Sequence, residues 1–245
     1  MFLNDLQQFD FVIKPYLIDG KSVIEYQDKI ISFYYFVDGK MWHELEHTDA
    51  IIYQAGENLA RIHLQSEKED SKYQRKTFEN HPDLSLYLNH YKNDPAFLNS
   101  YHNTLSEIHS MPKNPTTYGL IHGDYLYSNI IYNKALTIID FDDIEYGYYL
   151  YDIAVYMFYY LLGGDPLNMD IKTNQKRFDV FMKGYTSVKE IKLDRLEDLN
   201  PFFRLRQLKL LGTIQTYLKG NLGPWQIKFI QMTETMIKDQ KPFIE

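Results

Sequence analysis

The chain predicts an α+β fold: a short antiparallel β-rich start, then a larger, mostly helical region built round one β-hairpin. Three observations predict it. Residues 9–37 alternate apolar runs with turn signals such as Asp19-Gly20 and Gln27-Asp28. Residues 119–140 read as a strand, a polar loop and a hairpin. Most of the chain beyond repeats its apolar residues at helical spacing. These features divide the chain at residue 39, into a lobe of residues 1–39 and a lobe of residues 40–245.

Taken in order, Met1 to Gln8 reads as a strand end or a frayed helix, and Phe9 to Ile18, broken at Pro15, as extended chain. Ser22 to Tyr26 and Ile30 to Val37 form a hairpin closed by Asp38-Gly39. Ala50 to Gln65 sets Ile51, Ile52, Ala55, Leu59 and Ile62 on one helical face, with His63 as a packed residue near its end. Glu67 to Lys76 is a charged linker, and short helices follow over Pro82 to Tyr91 and Ala96 to Ser110. Tyr151 to Leu162 is a nearly continuous apolar helix, central to its lobe and stopped by Gly163-Gly164-Asp165-Pro166. Asn174 to Tyr185, Ile191 to Leu199, Pro201 to Leu218 and Trp225 to Lys238 complete the helical set.

The chemistry concentrates between Gly119 and Ala154. Leu120-Ile121 is a short strand that runs into His122-Gly123-Asp124. Ile130 to Tyr132 and Leu136 to Ile139 pair around Asn133-Lys134, which returns Asp140 to the end that holds Asn129. Two carboxylates and an amide then converge. Mg²⁺ takes oxygen ligands, a few from protein and the rest from phosphates and water. Asn129 and Asp140 offer such oxygens, and Asp124 is left to orient and deprotonate a hydroxyl. A loop Asp, an Asn five residues later and an Asp after the next strand are a phosphotransfer layout.

These segments resemble the aminoglycoside phosphotransferase and choline kinase-like family, a branch of the protein kinase-like fold. The resemblance rests on His122, Gly123, Asp124 and Asn129, on Ile139 to Asp143, on Tyr146-Gly147, and on Tyr151 to Ala154. It implies ATP and Mg²⁺ as cofactors, Asp124 as catalytic base, and Asn129 and Asp140 as metal ligands. It puts Tyr35 and Val37 at the hinge that holds adenine, and Ile131 and Ile139 at the adenine floor. The acceptor side takes Asp142, Asp143, Tyr156 and Arg204. Arg204 and Arg206 either reach the cleft or bridge surface acids. The acidic and tyrosine-rich run from Asp142 to Tyr151 is either a cation-binding wall or a mixture of metal-supporting acids and packed tyrosines. The family's glycine-rich loop, lysine-bearing strand and paired glutamate have no counterpart ahead of residue 22, and Lys14 and Lys21 read as surface lysines. The short nucleotide lobe therefore implies weak ATP binding.

Bulk properties narrow the field. The absence of cysteine excludes disulfides, thiolate metal sites and thiol nucleophiles. A net charge of -7 without a basic block argues against nucleic acid and anionic membrane as partners. No apolar run is long enough to span a bilayer and no signal-peptide pattern opens the chain, so a cytoplasmic protein is expected. The function expected is transfer of the ATP γ-phosphoryl group to a small-molecule hydroxyl. Aminoglycosides, choline or ethanolamine, homoserine, another sugar and a protein hydroxyl all fit as acceptors. A non-catalytic, pseudokinase-like binding protein is the first rival. A zinc hydrolase is the second, because His43-Glu44-Leu45-Glu46-His47 matches H-E-x-x-H.

Overall fold

The computed structural model describes residues 2–41, 44–68 and 74–245. Helix α1 (Phe2–Asp5) and a 3-10 turn (Leu6–Gln8) open the chain and bury Phe2, Leu3 and Leu6. Lys14 donates to the carbonyls of Gln7 (2.6 Å) and Phe9 (2.8 Å), satisfying the exposed end of that turn rather than facing solvent. The next residues run extended beside the catalytic hairpin, through Ile138 N to Phe11 O (2.7 Å) and Ile13 N to Ile138 O (3.0 Å).

β1 (Ile24–Tyr26) and β2 (Lys29–Ile31) form the expected hairpin, with Gln27 and Asp28 at φ 48° and 60°. The strand expected to reach Val37 stops at Ile31. Its continuation pairs backwards instead, Tyr16 N to Phe33 O and Tyr35 N to Lys14 O, with Pro15 opposite Tyr34. Proline carries no N–H, so that ladder cannot lengthen.

Two small antiparallel sheets carry the centre of the molecule. β3 (Lys40–Met41), β5 (Ile130–Asn133) and β6 (Ala135–Ile138) pair in the order β3-β5-β6. Lys134 adopts φ 63° at the hairpin tip, as the Asn-Lys turn requires. β4 (Tyr118–Ile121) pairs with β7 (Glu145–Tyr148). No strand is expected at β7 from its sequence. Its Tyr-Gly-Tyr run lacks aliphatic alternation, and only pairing with β4 makes it a strand.

Seven further α-helices follow among the described residues: α2 (Asp49–Ser66), α3 (Pro82–Tyr91), α4 (Pro95–His109), α5 (Tyr149–Leu162), α6 (Ile171–Thr186), α7 (Asn200–Tyr217) and α8 (Pro224–Lys238). Thr48, Asp94 and Asp170 cap α2, α4 and α6 by accepting a first-turn N–H. α5 is buried over nearly its whole length, as its apolar sequence predicts. Truncating its fully buried Phe158 to alanine is expected to cost about 3–5 kcal/mol. α2 and α6 approach so closely that a Cβ on Gly56 would lie 2.1 Å from Phe181 O. That contact fixes α2, and with it His63, against the core.

The helix expected over 191–199 is reduced to a 3-10 turn, Leu196–Leu199. Val188, Ile191 and Leu193 pack against the core, and Lys189 is drawn in to donate to Thr116 O (2.9 Å). Those contacts hold the segment out of a regular helix against its helical propensity.

Candidate active site

β4 and β5 bracket the catalytic loop, and a buried carboxylate fixes that loop. Asp152, in the first turn of α5, is fully buried and accepts from His122 N (2.8 Å) and Gly123 N (2.9 Å). Its Oδ2 also meets His63 Nε2 at 3.1 Å. A carboxylate only accepts, so His63 donates through Nε2, and its Nδ1 accepts from the Tyr185 hydroxyl (2.8 Å). Burial lowers the His63 pKa, outweighing the opposite pull of Asp152. His122 has the same tautomer: Nε2 donates to Ile139 O (3.1 Å) and Nδ1 accepts from Asp124 N (3.3 Å). Gly123 sits at φ 82°, where a Cβ would lie 2.4 Å from Asp143 O, so no other residue fits between the catalytic loop and the acid loop.

This scaffold holds Asp124 half-buried at the loop tip. Asn129 Nδ2 donates to its backbone oxygen (3.0 Å) and to Oδ2 (3.1 Å). Arg206 Nη2, from α7, donates to Oδ1 at 2.6 Å and to the Tyr159 hydroxyl at 2.7 Å. Tyr159, Asp124 and Tyr151 around this guanidinium raise its pKa in spite of its burial. With its amide nitrogen committed to Asp124, Asn129 keeps its oxygen for another ligand.

Asp140 follows β6 at φ 63° and is exposed. Its pKa is raised, first by desolvation, then by the charges of Asp142 and Asp124. Such a carboxylate gains from a cation placed beside it. The donor set fits Mg²⁺, which needs few protein oxygens. Among the described residues no group of three His, Asp or Glu side chains forms an all-protein metal cage. Tyr34 lies near enough to Asp142 and Asp140 for their charges to raise its pKa, after burial. Asp143 turns the other way. His81, 3.6 Å away, and Lys76, which donates to it at 3.0 Å, hold its pKa far below the usual carboxylate range.

The structure therefore brings Asp124, Asn129 and Asp140 together with Asp142 beside them. Ile131 is half-buried on β5, and Ile139 bonds through its backbone to Asn129 O (3.0 Å). Tyr35 is exposed and Val37 half-buried in the irregular stretch after β2. Three acceptor-side expectations need correction. Tyr156 is fully buried and stacked on Phe181 at 4.4 Å, so it packs the core and does not line a cleft. Arg204 points away from Asp124. It donates to Lys241 O and lines a groove of about 910 Å³ between α4, α7 and α8. Arg206, two residues on and on the opposite side of the helix, is the arginine that meets Asp124. Asp143 is tied up by Lys76. Lys76 and Tyr34 carry no local sequence signal, since one sits in a charged linker and the other in an apolar run.

Of the zinc motif, His43 lies outside the described residues. Glu44 accepts from Met41 N (2.8 Å), and His47 packs its ring edge-on to Tyr160. No helix among the described residues is long and apolar enough to cross a membrane.

A fold of this kind with this site defines a kinase-like phosphotransferase class. The phosphotransferase enzyme family matches residues 2–189, and the chain belongs to that family. It is 30% identical over 113 residues to the amicoumacin kinase of Bacillus subtilis (strain 168). That match covers 45% of this chain and a third (33%) of the relative's length. Among solved structures, amicoumacin kinase hAmiN in complex with AMP-PNP, Ca²⁺ and Ami superposes with TM-score 0.83 at 21% identity, over 99% of this chain and 76% of that one. Choline kinase LicA from Streptococcus pneumoniae gives 0.65 at 14%, over 97% and 78%. A microcompartment-associated aminopropanol kinase gives 0.62 at 20%, over 96% and 77%.

Proposed function

We propose that the chain is an ATP-dependent phosphotransferase that moves the γ-phosphoryl group to a hydroxyl of a small molecule. One observation carries the reading: the Asp124 carboxylate is held between Asn129 and Arg206, on a loop anchored by Asp152, with Asp140 facing the same point. Asp124 accepts the hydrogen bond of the incoming hydroxyl and then its proton. Asn129 and Asp140 are the residues that would hold Mg²⁺, which when bound neutralises phosphate charge. Arg206 holds the Asp124 carboxylate in line while the hydroxyl is free, and Tyr159 fixes the guanidinium. Residues 32–37, with Tyr34 beside the acid loop, border the nucleotide side, and Ile131 and Ile139 underlie it. Among acceptors, amicoumacin comes first because of the relative named for it, then aminoglycosides, choline and homoserine-like alcohols.

The experiment is phosphoryl transfer from ATP with Mg²⁺ to that panel, by wild type and Asp124→Asn. Product formed by wild type and lost in the variant supports the reading. Turnover that survives in the variant removes Asp124 as the base, and no product from any acceptor moves the weight to a non-catalytic binding protein. The grip of Arg206 on Asp124 would then be its resting state.

A further inference from the structure

Behind the proposed site lies a buried ion pair that the phosphotransfer reading does not use. Lys209, on α7, donates to Glu145 Oε1 at 2.7 Å, and the two side chains are 2% and 0% exposed. Stability alone does not account for such a pair. Desolvation of both charges offsets their attraction, and apolar side chains of similar volume often serve a fold as well. The surroundings are also incompletely satisfied: Glu145 Oε2, the Tyr151 hydroxyl and Arg206 Nε are buried and make no hydrogen bond.

The pair sits where it can act on the proposed base. Glu145 lies across the β4–β7 ladder from Ile121, the residue before His122-Gly123-Asp124. Lys209 stands one helical turn beyond Arg206, whose guanidinium bonds Asp124 at 2.6 Å. Tyr151 joins the two. Lys209 Nζ is 4.5 Å from its ring centroid. Burial raises the Tyr151 pKa, and the charges of Lys209, Arg206 and Glu145 all act on its hydroxyl. One cluster therefore holds two cations, Lys209 and Arg206, and two carboxylates, Glu145 and Asp124.

We propose that Lys209 is a positioning residue: by neutralising Glu145 it leaves Arg206 to Asp124. The pairing stands on geometry, and its consequence for turnover rests on the phosphotransfer reading. Without the charge of Lys209, Glu145 is a buried carboxylate lacking a partner, which a protein interior tolerates poorly. Arg206 is the other cation of the cluster, has an unbonded Nε and shares Tyr151 with Glu145. Asp124 is 22% exposed at the side chain and can exchange the guanidinium for water, whereas Glu145 at 0% cannot. Arg206 therefore turns from Asp124 toward Glu145. The competition has one direction. Removing the charge of Glu145 breaks the same ion pair yet gives Arg206 nothing to turn to.

Crystal structures of variants of the chain as it exists read the contact directly and need no turnover. Lys209→Met is expected to lose the bond between Arg206 and Asp124 and to show the guanidinium at Glu145. Lys209→Gln, which keeps a hydrogen bond to Glu145 but not the charge, is the second variant should Lys209→Met not fold. Glu145→Gln is expected to keep Arg206 on Asp124, and the double variant Glu145→Gln/Lys209→Met to restore it there. In kinetics, kcat should fall about tenfold or more in the Lys209 single variants with KM for ATP within about twofold, because the base and not the nucleotide is misplaced. It should fall about threefold at most in Glu145→Gln and in the double variant. Arg206 still on Asp124 in both Lys209 single variants, equal kcat losses in Glu145→Gln and Lys209→Met, or no rescue in the double variant would each overturn the proposal. Absence of phosphoryl transfer in every protein, wild type included, would count against the phosphotransfer reading, and the position of Arg206 would still decide this one.

Discussion

The two ends of the acid loop, three residues apart, have opposite electrostatic surroundings. At one end Asp140 has a pKa raised first by desolvation and then by the like charges of Asp142 and Asp124 beside it. At the other, Asp143 is enclosed by Lys76 and His81 and has a lowered one. The difference separates two uses of a carboxylate. Asp143 already has its cation from the protein and serves as a tie. Asp140 has negative charge around it that an added cation would offset. The proposed chemistry therefore belongs on the Asp140 side, with Asp124, and changes there should affect turnover far more than changes at the tie.

The largest effect expected is at Asp124. Asp124→Asn keeps the shape and removes the base, so turnover should fall about 10³-fold or more, within the usual range for a general base. The fold should persist, because the side chain sits at a loop tip and not in the core. Steady-state kinetics beside a thermal melt checks both. A variant within tenfold of wild type would place the reaction on another residue.

Next comes the anchor of the loop. Asp152→Ala leaves the buried His122 and Gly123 N–H groups without their acceptor and His63 without its carboxylate. Stability should fall by about 3 kcal/mol, measured by urea denaturation. In whatever remains folded, kcat should fall more than KM rises, because the loop's position and not ligand affinity is lost. An unchanged kcat would mean that the loop keeps its geometry without Asp152.

The legible parts were those whose signal is local. His122-Gly123-Asp124, Asn129 and Asp140 lie within nineteen residues on a hairpin whose turn and strands the sequence marks, and the structure sets them in one place. The Gln27-Asp28 turn, the buried α5 and the packed role of His63 are read the same way. What was not legible depends on distant contacts. Arg204 and Arg206 look alike in sequence, and only the rotation of α7 decides which of them meets Asp124. Tyr156 was expected on the acceptor side, yet α5 turns it into the core. The Lys76 tie joins residues 67 apart in sequence, and β7 exists only because β4 lies beside it.

A smaller effect should appear in pH dependence. His63 is enclosed by Asp152, Tyr185, Tyr149, Lys189 and His122, and its pKa is lowered mainly by burial. As pH falls through about 6.5, the unfolded chain takes up the proton first. His63 therefore contributes stability that is fully present above about pH 6.5 and declines below it, down to the lowered native pKa. The slope from one such group is at most about 1.4 kcal/mol per pH unit. Denaturation at pH 7.5 and 5.5 should show a smaller acid loss in His63→Gln than in wild type. Equal losses in the two proteins would assign the acid sensitivity to other groups.

The smallest effect tests the tie itself. Lys76 and Asp143 are partly exposed, 25% and 48% at the side chain, so solvent screens their attraction and Lys76→Met should cost no more than about 1 kcal/mol. His81 remains beside Asp143 in that variant and retains part of the interaction. The sign with pH is fixed by the lowered pKa of Asp143. Its contribution is present above the unfolded carboxylate value near 4 and fades as pH drops toward the native one. Lys76→Met should therefore lose stability at neutral pH and match wild type in strong acid, where Asp143 is protonated in both. Turnover should stay within about threefold, since the backbone contact between Asp143 and Gly123 does not need the lysine. A loss of turnover comparable to that of Asp124→Asn, with the fold intact, would mean that the lysine acts on the reacting groups and that the two ends of the loop are not separate in function.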